Sequence, residues 1–117
     1  MAIVYNVGMS DILGAFEQAV LLAVVKLGDN AYGRAILKEV AIRLDRDVAA
    51  GAVYATLDRL EAKKLISSRL APGTPSRGGR ARRYYKLEAA GMGALNETRA
   101  TLESLWREAA WPIGGEV

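Results

Sequence analysis

Apolar residues recur at spacings of three and four in four segments of the chain, which is the periodicity of amphipathic helices. The predicted helices cover about 11–27, 31–44, 50–63 and 88–110. Ser10 or Asp11 is expected to cap the first helix, and Gly28 to end it. The positions expected to face a core are Leu13, Phe16, Val20, Leu21, Val24 and Leu27, then Tyr32, Ile36, Leu37, Val40 and Leu44, then Val53, Leu57 and Leu60.

Two stretches between the third and fourth helices alternate with a period of two, which is typical of strands. They cover 65–70 and 81–87 and flank the sequence APGTPSRGGR at 71–80, where Gly78 and Gly79 are expected to leave a flexible tip. Two such runs around a turn-rich loop predict a β-hairpin.

The order of elements, three helices, a hairpin and a helix, predicts a mainly α fold with a small β-hairpin (α+β). It is the order of a winged helix-turn-helix domain, in which the third helix enters the major groove and the hairpin is the wing. We expect this domain in 1–87, with its wing at 65–87. A C-terminal dimerisation helix, 88–111, is expected to pack on the same domain.

Charge is distributed unevenly along the 117 residues. Segment 59–86 holds nine basic residues against one acidic residue, although the whole chain has a net charge of only +3. A basic block on an otherwise acidic chain is typical of a surface that binds a polyanion. The alternative is a solvated basic loop.

Composition excludes several kinds of chemistry. The chain has no cysteine and no histidine, so thiol nucleophiles, imidazole acid–base catalysis and the usual zinc ligand sets are excluded. We therefore expect no enzyme, no metal and no cofactor. The longest apolar run, Ala19–Val25, is too short to cross a membrane, and no signal peptide is visible, so a cytoplasmic protein is expected.

The third predicted helix has small residues on the side away from its core stripe. Ala52 and Ala55 are candidates for contacts with base edges, including thymine methyl groups, unless they are simply helix-favouring surface residues. Tyr54 is expected to donate to a phosphate or to pack against the wing. Thr56 borders the core, so phosphate contact and half-buried packing both remain open. Arg59 is expected to reach a phosphate or a guanine edge, or to pair with a neighbouring carboxylate.

The remaining candidates for DNA contact are basic residues after this helix. Arginines suit a narrow minor groove, where the negative potential is strongest. The candidates are Lys64, Arg77, Arg80 and Arg82, whereas Arg83 shares a face with Tyr85 and is assigned a structural ion pair as an alternative. Tyr32 and Gly33 begin the second helix, whose free amides are a further phosphate site if Tyr32 is not simply part of the core.

Several motifs together resemble one family. They are Tyr-x-x-Leu-x-x-Leu-Glu within Gly51–Glu61, Ala31-Tyr32-Gly33 before it, Arg83-Tyr84-Tyr85 after it, and Gly91. Over about residues 13–95 the chain resembles the PadR family. The resemblance implies dimeric transcription regulators, mostly repressors, which dimerise through the C-terminal helix with help from the N-terminal one. Some of them release DNA when a small aromatic or drug-like molecule binds.

Three positions depart from the family pattern. Ala49 stands where a capping Ser is usual, Lys64 where Gly is usual, and Glu88 where Thr is usual. The missing cap is expected to cost about 1 kcal/mol of helix stability. Lys64 is expected to strain its turn.

The last helix carries a short heptad-like seam that is expected to form the dimer interface. The residues assigned to this interface are Leu95, Leu102, Leu105, Trp106 and Ala109. Because the helix is short for the family, the dimer is expected to rely more on the first helix. Trp106 and Trp111 either pack this interface or sandwich a planar effector.

These observations predict a sequence-specific transcriptional regulator of the repressor type. It is expected to bind a pseudo-palindromic operator in double-stranded DNA as a homodimer and to be released by a small aromatic effector. The alternative is a winged-helix module that pairs proteins and does not bind DNA, which the basic wing disfavours.

Overall fold

The computed structural model describes residues 12–109, so the assignments made for Ser10, Asp11 and Trp111 lie outside it. This part contains four α-helices, a two-stranded antiparallel sheet and two 3-10 turns, at Gly28–Asn30 and Pro75–Arg77. The order is α1 (Ala15–Leu27), α2 (Gly33–Leu44), α3 (Ala50–Ala62), β1 (Ile66–Ala71), β2 (Arg82–Leu87) and α4 (Ala89–Ala109). The predicted fold class is confirmed. No helix within residues 12–109 is long and apolar enough to cross a membrane.

The first helix begins four residues later than the periodicity predicted. The Leu13 amide donates to the Thr98 hydroxyl at 3.0 Å, so the chain before α1 is tied to α4 instead of being helical. The Gly14 amide then donates to the Glu17 carboxylate at 3.2 Å, which satisfies one of the free donors at the helix start. At the other end, Gly28 has a φ of +57°, a conformation that favours glycine.

The start of the second helix was also predicted wrongly. Neither Ala31 nor Tyr32 is helical, and Tyr32 is extended. The Ala31 carbonyl accepts from the Tyr85 amide at 2.8 Å. Tyr32 forms an isolated β-bridge with Tyr84. These two residues therefore lie beside β2 as a short strand-like segment, and α2 begins only at Gly33.

The core lies between α1, α2, α3 and the inner face of the hairpin. It confirms the predicted stripes, because Val20, Leu21, Ile36, Val40, Val53, Leu57 and Leu60 are all fully buried. Ile66 and Tyr85 close the core from the sheet. The hairpin register pairs Ile66 with Leu87 and Ala71 with Arg82, close to the predicted strands.

Helix α4 joins the core only through its first half, where Gly91, Ala94 and Thr98 are buried. Gly91 lies so close to the base of the hairpin that a Cβ built on it would lie 2.6 Å from a Leu87 methyl carbon and even closer to the Leu65 carbonyl oxygen. Glu88 precedes the helix, and its carboxylate accepts from the Ser67 hydroxyl of the wing. Beyond Thr98 the described helix is largely exposed.

Candidate nucleic-acid interface

A groove of about 640 Å³ lies between the start of α2, the flank of α3 and the wing. Its charged side chains are all arginines: Arg34, Arg77, Arg80, Arg82 and Arg83. None of these five arginines forms an ion pair with a carboxylate of residues 12–109. The groove is therefore a concentrated positive surface whose charge the described protein leaves uncompensated, which is what a phosphate backbone attracts.

Tyr54 occupies one wall of this groove because residue 33 is glycine. A Cβ built on Gly33 would lie 2.6 Å from the Tyr54 hydroxyl oxygen and 2.9 Å from Cζ, so the ring lies directly against the start of α2. Tyr54 is 40% exposed. Its hydroxyl thus sits beside the first amides of α2, which have no partner within the helix. Both groups are donors suited to the same anionic oxygen.

The wing arginines are held in different ways. The Arg77 guanidinium donates to the Pro72 carbonyl at 2.7 Å, and its Nε is buried without a partner. Arg82 lies over the Tyr32 ring, 3.8 Å from the ring centroid. Arg80 is exposed. Arg80 is therefore the predicted wing contact most open to solvent, while Arg77 mainly braces the loop.

The wing tip, for which the sequence led us to expect flexibility, contains hydrogen bonds within its own backbone. The Gly79 amide donates to the Thr74 carbonyl at 2.8 Å, and Gly78 and Gly79 both have positive φ. Arg83 was assigned an ion pair as an alternative, but it donates to the Ser68 hydroxyl at 3.0 Å, and Ser68 in turn donates to Glu61. Both findings give the wing more internal structure than its composition suggested.

An aromatic and cationic cluster connects the wing to α2. The Tyr32 and Tyr84 rings meet edge to face with centroids 5.7 Å apart, and Arg69 lies 5.0 Å from the Tyr84 centroid. The Arg82 guanidinium beside the phenol, with smaller effects from Arg77 and Arg69, lowers the pKa of Tyr84 below its usual value. Burial raises the pKa of the neighbouring Tyr85. The cluster holds Arg82 at the groove wall.

The outer side of α3 is bare, as predicted. Ala52 and Ala55 are exposed, and Ala49 supplies no side-chain cap. Thr56 is only 2% exposed, so the structure corrects its assignment as a direct DNA contact. The Thr56 hydroxyl instead accepts from the exposed Arg59 guanidinium at 3.1 Å. Thr56 therefore positions Arg59.

Lys64 follows α3 in a left-handed conformation, with a φ of +65°. This agrees with the expectation that a lysine in place of glycine strains the turn. Its side chain is exposed beside the start of the wing.

Sequence reasoning missed Arg34, which lines the groove from the first turn of α2. Its position in the first turn of a helix was a signal, because a cation there is repelled by the helix dipole and is unfavourable without a compensating role. The role of Gly33 in admitting the Tyr54 ring was also missed, since it depends on how two helices pack.

The residues assigned to a dimer interface lie on one open face. Leu95 is half-buried, whereas Leu102, Leu105, Trp106 and Ala109 are exposed. Leu22 and Val25 of α1 and Met92 of α4 are exposed large apolar residues beside them.

The fold and this groove define a winged-helix protein of the DNA-binding class. The sequence profile of the family described as "Transcriptional regulator PadR-like family" matches residues 21–97. The chain belongs to this family, whose members that match are transcriptional regulators and not enzymes.

Individual relatives support this family assignment. The chain is 40% identical over 88 residues to transcriptional regulator Rv3488 of Mycobacterium tuberculosis, covering 75% of this chain and 76% of the relative. A PadR-like transcription factor from Bacteroides fragilis superposes with a TM-score of 0.69 at 26% identity, covering 91% of this chain and 95% of that chain. Bordetella bronchiseptica BpsR, whose structure concerns regulation of DNA binding by 6-hydroxynicotinic acid, shares the fold with a TM-score of 0.61 at 19% identity, covering 97% of this chain and 80% of that chain.

Proposed function

We propose that this protein is a repressor that binds a pseudo-palindromic operator as a homodimer and is released by a small aromatic effector. The wing and the start of α2 hold the phosphate backbone, and α3 enters the major groove. The observation that carries the proposal is the arginine-lined groove, which is lined by the start of α2, Tyr54 and five arginines that form no ion pair with a carboxylate of residues 12–109.

The dimer follows from the apolar face that α1 and α4 share. Leu22, Met92, Leu105 and Trp106 are each more than half exposed, and several large exposed apolar side chains on two helices are typical of an interaction surface. A two-fold axis through this face buries it against its own copy. Binding to two successive half-sites requires such a dimer to hold its two recognition helices about 34 Å apart, one turn of DNA.

The effector is proposed to bind within this face, where it would lie at the dimer interface. A cavity of about 390 Å³ lies between α1 and α4, lined by Leu22, Val25, Met92 and Leu95 with Arg99 at its edge. Its size and apolar lining suit a small planar molecule. BpsR, a relative in fold, offers a precedent in 6-hydroxynicotinic acid.

DNA binding is tested by titrating labelled duplexes with the purified protein at several salt concentrations. We expect tighter binding to the region upstream of its own gene than to random DNA. The double variant Arg80→Ala/Arg82→Ala removes four guanidinium groups per dimer. If each meets a phosphate, the negative slope of log K against log salt should become less steep by about 3 to 4. Arg107→Ala, an exposed arginine on α4, is the matched control and should leave the slope unchanged.

Two outcomes would contradict the proposal. The first is equal affinity for random and upstream DNA, and the second is an unchanged slope in the double variant. A protein that is monomeric and has no affinity for duplex at low salt would favour the protein-pairing alternative. Sedimentation of wild type and Leu105→Glu tests the dimer separately, with the variant expected at the mass of one 12.6 kDa chain.

A further inference from the structure

Two consecutive hydrogen bonds join the recognition helix α3 to both strands of the wing. Glu61 lies in the last turn of α3, Ser68 in β1 and Arg83 in β2. The Ser68 hydroxyl donates to the Glu61 carboxylate at 2.7 Å and accepts from the Arg83 guanidinium at 3.0 Å. One serine hydroxyl is therefore the point at which these three elements meet.

The register of the hairpin explains why Arg83 reaches this serine. Leu70 pairs with Arg83, and Ser68 lies two residues before Leu70 on the same face of the sheet. Ser68 and Arg83 are therefore diagonal neighbours, and such neighbours lie about 7–8 Å apart, within reach of a long side chain. The Glu61 carboxylate approaches the same hydroxyl from α3.

The serine joins Glu61 and Arg83 without letting their charges pair directly. Within residues 12–109, Arg83 forms no ion pair with Glu61 or any other carboxylate. A direct ion pair would offset much of the positive charge of Arg83, because Coulomb attraction is greatest at contact. The hydrogen bond to Ser68 instead occupies one of the five N–H donors of a guanidinium. Because Arg83 is exposed and lines the arginine-lined groove, its charge stays available to an anion.

We propose that Arg83 is a further phosphate-binding residue, and that Glu61 and Ser68 are positioning residues that hold its guanidinium at the groove. This inference rests on the proposed function and names the residues that orient one of its contacts. An arginine loses rotamer freedom when it binds a phosphate, and a side chain that is already held loses less. Since Glu61 belongs to α3, the same two hydrogen bonds fix this wing arginine relative to the helix that enters the major groove.

The phosphate contact is tested by titrating a labelled duplex from the region upstream of the gene at several salt concentrations. Arg83→Ala removes two guanidinium groups per dimer, so the negative slope of log K against log salt should become less steep by about 2. An unchanged slope would overturn the phosphate contact.

The positioning role is tested with Ser68→Ala in the same titration. Arg83 keeps its charge in this variant but loses its fixed orientation, so affinity should fall by about three- to ten-fold while the salt slope stays that of wild type. Ser68→Thr retains the hydroxyl and should restore wild-type affinity. Ser67→Ala is the matched control, because the hydroxyl that it removes donates to Glu88 and contacts no arginine, and it should leave affinity unchanged.

Two variants of Glu61 give an independent comparison. Glu61→Ala and Glu61→Gln remove the same negative charge, but only glutamine keeps an oxygen that accepts from the Ser68 hydroxyl. Glu61→Ala should therefore bind DNA more weakly than Glu61→Gln, by about the factor lost in Ser68→Ala. Equal affinity of the two variants would contradict a positioning role for Glu61.

A double variant separates positioning from a purely structural connection between α3 and the wing. If Ser68 acts through Arg83, Ser68→Ala should cause no further loss of affinity in the Arg83→Ala background. The same loss in both backgrounds would overturn the positioning role, although DNA binding by the wild type would stand. A wild type that binds neither the upstream duplex nor random DNA at low salt would instead contradict the proposed function itself.

Discussion

Gly33 determines where the Tyr54 hydroxyl lies, so Gly33→Ala is a sharp perturbation of the groove. The new Cβ would lie 2.6 Å from the hydroxyl oxygen and 2.9 Å from Cζ, inside the roughly 3.4 Å at which such atoms ordinarily meet. The ring must therefore move by about 0.5–1 Å. A hydrogen bond is lost over such a displacement, because its useful range is only about 0.5 Å wide.

The expected effect on DNA binding follows from this displacement. A hydrogen bond from the Tyr54 hydroxyl to a charged phosphate contributes about 1.5 kcal/mol, or about ten-fold in affinity for each protomer. Two protomers then give about 100-fold for a dimer. The folded protein should lose less than about 1 kcal/mol, because the far end of the exposed ring is free to swing outward.

Fluorescence anisotropy with a labelled duplex from the region upstream of its own gene measures the binding, and thermal unfolding measures stability. Tyr54→Phe should weaken binding as much as Gly33→Ala, and the double variant should be no weaker than either single variant, since both remove one contact. Gly93→Ala is the control, because nothing lies within 4 Å of its added Cβ. Additive losses in the double variant, or normal binding by Tyr54→Phe, would refute the reasoning.

Three further changes have defined outcomes. Gly91→Ala should lose about 2 kcal/mol of unfolding free energy, because its Cβ meets the Leu65 backbone. Gly93→Ala should instead gain about 0.5–1 kcal/mol from helix propensity. Chemical denaturation of both variants checks this, and equal effects would contradict the close approach of Gly91 to Leu65. Lys64→Gly should gain about 0.5–1 kcal/mol by relieving positive φ, and a loss in the same assay would show that the turn is unstrained. Asp58→Asn should bind every duplex a few-fold more tightly in low-salt titration, and unchanged affinity would place Asp58 away from DNA.

The pattern of apolar residues was sufficient to predict the helices and the hairpin, because burial of one face is a local property of each segment. The two helix starts were predicted wrongly for a non-local reason. Leu13 is bonded to Thr98, 85 residues later, and Ala31 pairs with β2. The periodicity within one segment carries no information about partners so far away in the sequence.

For the candidate site, too, local features could be predicted from the sequence, whereas features that depend on packing could not. Positive charge in the wing is visible in the composition, and the groove confirms that the wing arginines Arg77, Arg80 and Arg82 line one surface. The burial of Thr56 and the contact between Gly33 and Tyr54 depend on the angle at which two helices cross. A helical wheel drawn for one helix cannot supply that angle.

The bridge between Tyr32 and Tyr84 has a consequence for how this protein tolerates change. Backbone pairing in the middle of β2, rather than the tip at 72–80, sets the distance between the wing and α2. Insertions or deletions in the tip should therefore alter the part of the groove that Arg77 and Arg80 line, while the pairing of β2 with Ala31 and Tyr32 is kept. Variation in tip length is thus a route by which DNA preference can diverge while Arg82, Tyr54 and the start of α2 keep their relative positions.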